Sequence, residues 1–347
     1  MKYCYRYTLL FFLSVLLASC SGMLYTSIDI LRPAKVSFPV DVNHMLIINN
    51  SLSQPHQYGH KTDLFNESQK NILVDTDSIA IFALASFAES IIQKEFFGSV
   101  NLVHNSINRG NDFFAVSLPD KSSISYLVNQ NQANGVISLN RILVNDNQGE
   151  LYNQEENTFI AYLEAKYEMQ WSIHFPEKNK IFTLITNDTV YWESESYSRQ
   201  RALSGLPDRK DALIDGALIS GERAVKNFIP YWEQADRYLF NGSNKSFKAG
   251  MDSVYVRNWV GATQVWDALL NKLNNPYQKG KVAHNLSVVS EINGNIQKAY
   301  DYATIALDSF INSTLVEYRN FMFVVEQHET LKQRLNDLEV LNKQLGE

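Results

Sequence analysis

The sequence predicts a domain of mixed α+β or α/β class, in which helices pack on a mixed sheet, followed by an all-helical domain. Three observations support this prediction. Short apolar runs alternate with helical patterns from residue 44, two long aromatic stretches follow before residue 197, and apolar residues recur at spacings of three and four from residue 208. A hydrophobic content of 45% with 12% aromatic residues is enough for a buried core.

Residues 1–19 have the pattern of a secretory signal. Two positive charges, Lys2 and Arg6, precede a run over residues 8–18 that is apolar except for Thr8 and Ser14. This run is too short to remain in a bilayer as a transmembrane helix. We therefore expect residues 1–19 to be removed, and the roughly 330 residues that remain favour two domains.

Cys20 is the candidate lipid-attachment site. Small residues before it would let a peptidase approach the backbone, and its thiol is a nucleophile that can accept a lipid. Leu17, Ala18, Ser19 and Cys20 together resemble the bacterial lipobox, with the first three as recognition residues for the signal peptidase. The alternative is a core helix that happens to hold a cysteine. The lipobox resemblance implies a lipid bilayer as a partner, held through acylated Cys20.

The remaining composition excludes several classes of site. Cys4 would be removed and Cys20 acylated, so the mature chain would have no free thiol for a disulfide or a thiolate metal site. The chain has 31 Lys+Arg and 37 Asp+Glu, a net charge of −6, and loss of Lys2 and Arg6 makes it −8. Nucleic acid is not an expected partner, because its binding needs clustered basic residues.

The chain from residue 20 to residue 144 predicts a stalk and the first part of the α/β domain. Pro33 and Pro39 favour an extended stalk over residues 20–43, because proline fixes φ and restricts the residue before it. The α/β domain takes residues 44–207, with some parallel pairing. Its first elements are a buried strand over 44–50, a long polar loop over 51–74, a helix from Asp77, a second helix over 122–132 and a strand over 135–144.

A long hairpin completes the predicted sheet. Residues 157–175 and 180–196 are rich in aromatic and β-branched residues, which favours two antiparallel strands. From Asp208 the apolar spacing becomes helical, and Pro230 ends this run. We therefore place the domain boundary at residue 208 and expect residues 208–347 to be helical.

Residues 279–310 predict a helical hairpin. One apolar stripe precedes Gly294, which marks a tight turn, and a second stripe follows it, where Ala299 and Ala306 leave room for a neighbouring helix. The stretch NLSVVSEINGNIQKAYDYATIAL resembles a tetratricopeptide repeat at these three positions and at Leu286. The resemblance implies packed helix pairs with a concave surface.

A second, degenerate unit precedes this hairpin. In NWVGATQVWDALL, Ala262, Trp266 and Leu269 occupy the corresponding positions, and Trp259 is a further packing residue. Tetratricopeptide-like hairpins would thus cover residues 244–312. The alternative is an ordinary helical bundle that uses small residues for packing. Beyond Ser313 the pattern predicts one long helix, whose apolar stripe is either a coiled-coil seam or a cap on the last hairpin, with His328 as a packing residue.

Candidate catalytic and metal sites are weak in this sequence. His56 and His60 are four residues apart, as metal ligands on a helix would be, but the proline and glycine beside them favour a loop with two exposed histidines. Glu193 and Glu195 alternate along a strand and would lie about 6 to 7 Å apart, as in paired-carboxylate glycosidases. Solvated charges at a strand end explain this pair as well. We expect no catalytic residue, metal site or cofactor, and so no enzyme.

The order of several motifs resembles an uncharacterised family of outer-membrane lipoproteins of Bacteroidota-type bacteria, with an N-terminal α/β domain and C-terminal tetratricopeptide-like repeats. The motifs are the lipobox, LRPAKVSFP, MLIINNS, the tryptophan-containing hairpin, FIPYWEQADRYLF and the WVGA repeat. The resemblance implies a compartment and an architecture, and it implies no activity. Surface-exposed lipoproteins of that group carry acids soon after the cysteine, whereas the first acid here is Asp29, so the resemblance implies an anchor facing the periplasm.

Two functions are consistent with the sequence. The first is a membrane-anchored, non-enzymatic scaffold that binds a protein or peptide partner through its helical repeats. The second is a glycan-binding or glycan-hydrolysing protein of the cell envelope, favoured by five Trp, 18 Tyr and the Glu193/Glu195 pair. Aromatic residues at this density are also typical of sheets and cores, so we favour the scaffold.

Overall fold

The computed structural model describes residues 24–65, 68–314 and 316–346. The predicted signal peptide and the lipobox, including Cys20, lie outside these residues. The chain divides into two compact units, one formed by residues 34–230 and the other by the segment that ends at residue 33 together with residues 231–345. We call them the α/β unit and the helical unit.

Strands interspersed with helices occupy the chain up to residue 240, and helices follow. In chain order the elements are β1 (Leu24–Arg32), β2 (His44–Asn49), β3 (His60–Asp63), β4 (Lys70–Asn71), α1 (Ile79–Gln93), β5 (Ser99–Val103), α2 (Lys121–Asn131), β6 (Gly135–Asn153), β7 (Thr158–Phe175), β8 (Lys180–Ser196), α3 (Arg199–Ser204), α4 (Arg209–Ala224), β9 (Tyr231–Leu239), α5 (Lys245–Tyr255), α6 (Trp259–Leu270), α7 (Pro276–Ile292), α8 (Ile296–Ile311) and α9 (Tyr318–Leu345). This order confirms the predicted fold class, a mixed sheet with helices followed by a run of helices.

β6 is the central strand of the mixed sheet in the α/β unit. Its first half pairs in parallel with β2 and its second half with β3, while β7 is antiparallel to it throughout. β5 lies beyond β2, β4 beyond β3, and β8 completes the predicted hairpin with β7. The pairing register of β6 with β7 shifts between Leu139 and Arg141. As a result, Ile137 and Leu139 before the shift belong to the same core cluster as Ile142 and Val144 after it.

Alternate residues of β2 face two different layers of helices. Met45 and Ile47 lie in the main core with residues of α1 and α4, whereas Leu46 and Ile48 pack with Ile124 of α2 on the opposite face. Both faces of this strand are therefore covered, which explains why its sequence is a continuous apolar run.

α4 belongs to the α/β unit, although the predicted boundary at residue 208 places it in the helical domain. It packs against α1, β7 and β8. A Cβ atom added at Gly216 would lie 2.2 Å from the Tyr167 hydroxyl oxygen, and one added at Gly221 would lie 2.1 Å from the Ala83 carbonyl oxygen. Because these approaches bring α4 into the core of the sheet, the α/β unit continues to Pro230.

The strands of the α/β unit differ from the prediction in three places. The loop expected over residues 51–74 contains β3 and β4, β5 was not predicted, and the strand expected over residues 135–144 continues to Asn153. β3, β4 and the second half of β6 are rich in Asn, Asp, Gln and Lys, which are poor strand formers. Backbone pairing with neighbouring strands forms them, so hydrophobic periodicity does not reveal them.

β1 and β9 form a two-stranded antiparallel sheet in the helical unit, within the described residues. The prediction missed both strands, because it placed residues 24–32 in a stalk and expected only helices after residue 208. The ladder pairs Leu24 with Leu239 and Arg32 with Tyr231. β9 has no apolar period, and in β1 the alternation of Leu24, Ile28 and Ile30 is interrupted by Thr26. The pairing partner of each strand lies far away in the sequence.

The residues predicted to pack the repeats lie in the core of the helical unit or at its turns. Ala262, Trp266, Leu286, Ala299 and Ala306 are buried, Trp259 packs against the core and Gly294 forms the α7–α8 turn at φ +78°. Gly250 provides space for the Trp266 indole, which donates a 3.1 Å hydrogen bond to the Phe247 carbonyl oxygen. Burial of this kind fits both a repeat and an ordinary bundle.

α9 packs its apolar stripe against α8. Leu331 lies in a cluster with Ile296, Ala299 and Ala303 of α8, and Val324 belongs to the main core of the helical unit. This packing favours a cap on the last hairpin over a free coiled-coil seam. In the part of the chain that the structure describes, no helix combines the length and the apolarity that crossing a membrane requires.

Candidate functional site

The carboxyl ends of β2 and β5 form a crevice in the α/β unit. The chain continues from β2, through β3 and β4, to helix α1, which lies on one face of the sheet. It continues from β5 to helix α2, which lies on the other face. α/β proteins bind ligands at such a point, where connections leave adjacent parallel strands in opposite directions. The loop over residues 104–120 lines this edge.

Buried amide and hydroxyl groups form the floor of the crevice. The Asn50 side-chain amide donates to the Ser117 carbonyl oxygen at 2.9 Å and to the Asn140 side-chain oxygen at 3.2 Å, and the Asn140 amide donates to Ser172 Oγ at 2.9 Å. His174 Nε2 lies 2.8 Å from Ser172 Oγ. Burial lowers the pKa of the His174 imidazole and so favours its neutral form. This network fixes the strand ends and supplies no reactive charge.

Two clefts open on the crevice. The larger has a volume of about 580 Å³ and the smaller about 200 Å³. Polar residues of the larger cleft include Asn50, Asn108, Arg109, Asp120, Ser122 and Ser123, and those of the smaller include Asn49, Ser51, Gln54, Thr76, Asp77 and Asn105. Hydrogen bonds from the Ser122 and Ser123 hydroxyls hold the pKa of the Asp120 carboxyl well below its usual range. The clefts therefore offer many neutral donors and acceptors and few charges.

His60 is fully buried, so the expectation of an exposed loop histidine is wrong for this residue. It lies at the start of β3, and its Nδ1 contacts the Asp146 carboxylate of β6. The Arg209 guanidinium pairs with the other oxygen of Asp146 and donates a 3.1 Å hydrogen bond to Thr62 Oγ1. This buried carboxylate with its two basic partners joins α4 to β3 and β6.

His56 is exposed, as expected, and the structure brings it together with Asp75 and Asp77. One imidazole nitrogen and one oxygen from each carboxylate lie within 4.8 Å of one another, so the three side chains could hold a metal ion. His60 contributes nothing to this group. The pair of histidines considered in the sequence is therefore separated into a buried and an exposed residue.

Glu193 and Glu195 lie exposed on β8, two residues apart and thus on one face of the strand. The Glu195 carboxylate accepts a hydrogen bond from Thr158 Oγ1 of β7. Trp192 packs against the core on the other face, so its ring does not stand beside the two acids. Neither acid lines the two clefts of the crevice. Their positions are those of solvated charges on a sheet face.

The helical unit contains a buried ionic cluster around Glu291 of α7. Arg237 of β9 donates two hydrogen bonds to this carboxylate at 2.8 and 2.9 Å, Arg334 of α9 donates one at 2.6 Å, and Gln327 of α9 donates one at 2.9 Å. Burial alone would raise the pKa of the Glu291 carboxyl. The hydrogen bonds and the two positive charges outweigh burial and lower this pKa below its usual range.

A cleft of about 660 Å³ lies beside this cluster, within the helical unit. One wall is the segment Tyr25–Asp29 of β1, and the other includes Arg257, Trp259 and Arg334. Of the residues predicted to pack the repeats, only Trp259 is in this wall. This cleft is thus lined by β1, by residues at the ends of neighbouring helices and by Arg334 in the middle of α9.

Two family descriptions match consecutive parts of the chain. Residues 42–240, more than half of the chain, match the family described as Domain of unknown function (DUF8603). The chain belongs to this family. Residues 248–333 match Domain of unknown function (DUF6340). Both matches agree with the predicted membership of an uncharacterised family, whereas the lipoprotein, bacterial-group and repeat assignments remain predictions.

The other comparisons add little to this DUF8603 protein. No curated protein matches the chain. Among solved structures, 13 chains match, and one is a Helicobacter pylori protein described as a homolog of a neuraminyllactose-binding hemagglutinin. It is 9% identical, with a TM-score of 0.26, and the match covers 55% of this chain and 94% of the other. At that TM-score the likeness carries no argument.

Proposed function

We propose that the protein is a non-enzymatic scaffold of the bacterial cell envelope that holds an extended segment of a partner protein at its helical unit. Acylated Cys20 would anchor it in the outer membrane, facing the periplasm. The cleft along β1 is the observation that carries this proposal, because it combines a strand edge with basic and aromatic side chains.

The shape of the cleft favours an extended peptide. Five consecutive residues, Tyr25–Asp29, line it, although consecutive residues of a strand point to opposite faces. A wall formed by all five therefore includes the strand edge, where backbone N–H and C=O groups lie. Among the described residues, β1 has a sheet partner, β9, on one side only. An extended peptide can add to such an edge as a further strand.

The opposite wall favours a peptide with acidic side chains. Arg257 is exposed there, and Arg334 shares the single carboxylate of Glu291 with Arg237. In the lining, Arg257 and Arg334 balance Asp29 and Glu291, and Arg237, which also pairs with Glu291, adds one further positive charge beside the cleft. Guanidinium groups bind carboxylates in a bidentate manner, which adds direction to the attraction.

Photo-crosslinking in cells tests this proposal. A photoreactive phenylalanine derivative at Tyr25, which lines the cleft and is 56% exposed, should give a crosslinked protein adduct. The same derivative at Tyr255, which is 60% exposed and outside the cleft lining, is the matched control. Arg257→Glu should reduce the Tyr25 adduct severalfold. Equal adducts at both positions, or a Tyr25 adduct that Arg257→Glu leaves unchanged, would contradict the proposal.

The crevice of the α/β unit supports glycan binding as a second candidate function. Sugars bind through networks of neutral hydrogen-bond donors and acceptors with an aromatic contact, and the larger cleft offers Asn108, Ser122 and the 66% exposed Tyr126. Calorimetry with soluble cell-wall oligosaccharides tests this function, with Tyr126→Ala expected to weaken binding about tenfold. Hydrolysis that Glu193→Gln or Glu195→Gln abolished would favour a glycosidase instead.

A further inference from the structure

Three possible metal ligands converge at the surface of the α/β unit. His56 Nε2 lies 3.2 Å from one carboxylate oxygen of Asp77 and 3.8 Å from one of Asp75, and all three donor atoms lie within 4.8 Å of one another. Donors at about 2.0–2.2 Å from a tetrahedral zinc ion are themselves about 3.3–3.6 Å apart. The observed separations need only small side-chain rotations to accept an ion.

The backbone already holds the two contributing segments together. The Val74 amide donates to the His56 carbonyl oxygen at 3.0 Å, which places the histidine beside the segment that carries both acids. The Asp77 amide donates to the Asp75 carboxylate at 3.1 Å. Binding an ion would thus restrict the side chains but not the backbone, which is already ordered. The loss of conformational entropy on binding is therefore small.

The position of the group is a second and independent observation. Asp77 lines the smaller cleft of the crevice together with Thr76, Asn49 and Asn105, at the switch point between β2 and β5. An ion held from one side by three protein donors keeps coordination positions free, and here the side facing the cleft could supply a ligand's oxygen atoms. The ligands therefore stand where the topology of the sheet places a binding crevice.

Lys210 offsets part of the negative charge of the group formed by His56, Asp75 and Asp77. Its ammonium lies 2.5 Å from the second oxygen of Asp75, the oxygen that does not face His56. A carboxylate can bind a metal through one oxygen while a neighbouring group orients it through the other. The ammonium charge nevertheless opposes a nearby cation, so Lys210 should weaken binding of the ion.

We propose that His56, Asp75 and Asp77 bind a divalent transition-metal ion of the zinc class at the mouth of the crevice. An imidazole nitrogen combined with two carboxylates suits zinc or cobalt, whereas calcium and magnesium prefer sites built from oxygen alone. The site is in the α/β unit and does not depend on the proposed function of the helical unit.

Titration of the full mature chain carrying Cys20→Ser tests the proposal, because this substitution removes both the lipid and the thiol. Calorimetry with zinc chloride should give one ion per chain, and calcium and magnesium should bind at least about tenfold more weakly. His56→Ala and Asp77→Asn should each weaken zinc binding at least about tenfold. His44→Ala is the matched control, since His44 is exposed in the same unit, and should leave binding unchanged.

Two further measurements keep the proposal testable if a variant misfolds. Lys210→Ala should strengthen zinc binding severalfold, which a merely structural role of these residues would not produce. In the unsubstituted histidine background, zinc should shift the ring nitrogen resonances of His56 and not those of His44. Absence of zinc binding, binding that survives both His56→Ala and Asp77→Asn, or tighter binding of calcium than of zinc would overturn the proposal.

Discussion

The Arg237 guanidinium donates two hydrogen bonds, of 2.8 and 2.9 Å, to the fully buried Glu291 carboxylate. Arg237 is in β9 and Glu291 in α7, and Arg334 of α9 also donates to this carboxylate. The position of β9 relative to α7 and α9 is not determined by a stripe of apolar residues. The cluster supplies this specification, because any other arrangement would leave a buried charge without partners.

Removing the Glu291 carboxylate should destabilise the helical unit. Glu291→Ala leaves two largely buried guanidinium groups without their anion, and we expect the free energy of unfolding to fall by about 3–5 kcal/mol. Urea unfolding followed by tryptophan fluorescence measures this change. Glu233→Ala is the control, because the Glu233 side chain is 47% exposed and Arg32 keeps its second ion pair with Asp337, so the loss should be about 0–1 kcal/mol. Similar losses for both variants would contradict the role of the cluster.

His284 should make the helical unit sensitive to acid. Burial lowers the pKa of its imidazole from 6.5 to about 4. Below pH 6.5 the unfolded chain therefore binds a proton that the folded chain does not, and stability falls until the pH reaches about 4, by roughly 3 kcal/mol in total. Above pH 6.5 the imidazole is neutral in both the folded and the unfolded chain, so His284 no longer makes the stability depend on pH.

Unfolding measured between pH 4 and pH 7 checks this expectation. His284→Gln removes the titrating group but keeps a donor for the Tyr238 carbonyl oxygen, which lies 3.2 Å from His284 Nε2. The variant should show a shallower dependence of stability on pH than the parent chain. Parallel profiles for the two proteins would assign the acid sensitivity to other groups.

Bulky residues at Ala299 and Ala306 should overpack the helix interfaces. Both side chains are fully buried on α8, so Ala299→Phe and Ala306→Phe should each lower the free energy of unfolding by about 1–3 kcal/mol. Ala249→Phe, at an exposed position of α5, is the matched control and should change stability little. Thermal unfolding that is unchanged in both buried variants would mean that these faces open readily.

Cys20→Ser should release the protein from the membrane fraction. We expect Cys20 to be the thiol that remains after removal of residues 1–19, and therefore the group that accepts the lipid. Labelling of cells with a fatty-acid analogue measures acylation, and fractionation measures attachment. Fatty-acid label that remains on the Cys20→Ser protein would contradict the lipobox prediction. Cys4→Ser is the control, and this variant should keep both the label and the membrane attachment.

Elements that carry their own period could be predicted from the sequence. α1, the β7–β8 hairpin and the α7–α8 pair around Gly294 show apolar spacing within one segment, and each is present. β3 and β9 show no such spacing, and β1 shows only an interrupted alternation of Leu24, Ile28 and Ile30. Hydrogen bonds from distant segments form all three strands. Local patterns therefore identified the apolar core and missed strands that depend on pairing.

The candidate sites follow the same division. Asn49, Asn50 and Ser51 directly follow a buried strand, and this juxtaposition could have indicated a crevice at the carboxyl edge of the sheet. The partner of His60 could not be found, because Asp146 lies 86 residues further along the chain in a polar part of β6. Ion pairs between distant residues leave no mark on either local sequence.

Neighbouring residues of α4 provide a final test of burial. The Arg209 guanidinium pairs with Asp146, whose side chain is fully buried, and donates to the Lys61 carbonyl oxygen at 2.5 Å. Lys210 pairs with Asp75, and both of those side chains are 47% exposed. The two cations thus differ mainly in the burial of the carboxylates with which they pair.

Arg209→Ala should lower the free energy of unfolding of the α/β unit by about 3–5 kcal/mol, because it leaves the Asp146 carboxylate buried with His60 as its remaining partner. Lys210→Ala should cost about 0–1 kcal/mol, because water can replace the ammonium at an exposed carboxylate. Chemical denaturation of both variants gives the comparison. Asp146→Asn should resemble Arg209→Ala, and combining the two should cost less than the sum of the single losses, since each removes the same interaction. Additive losses would mean that the buried pair does not act as a unit.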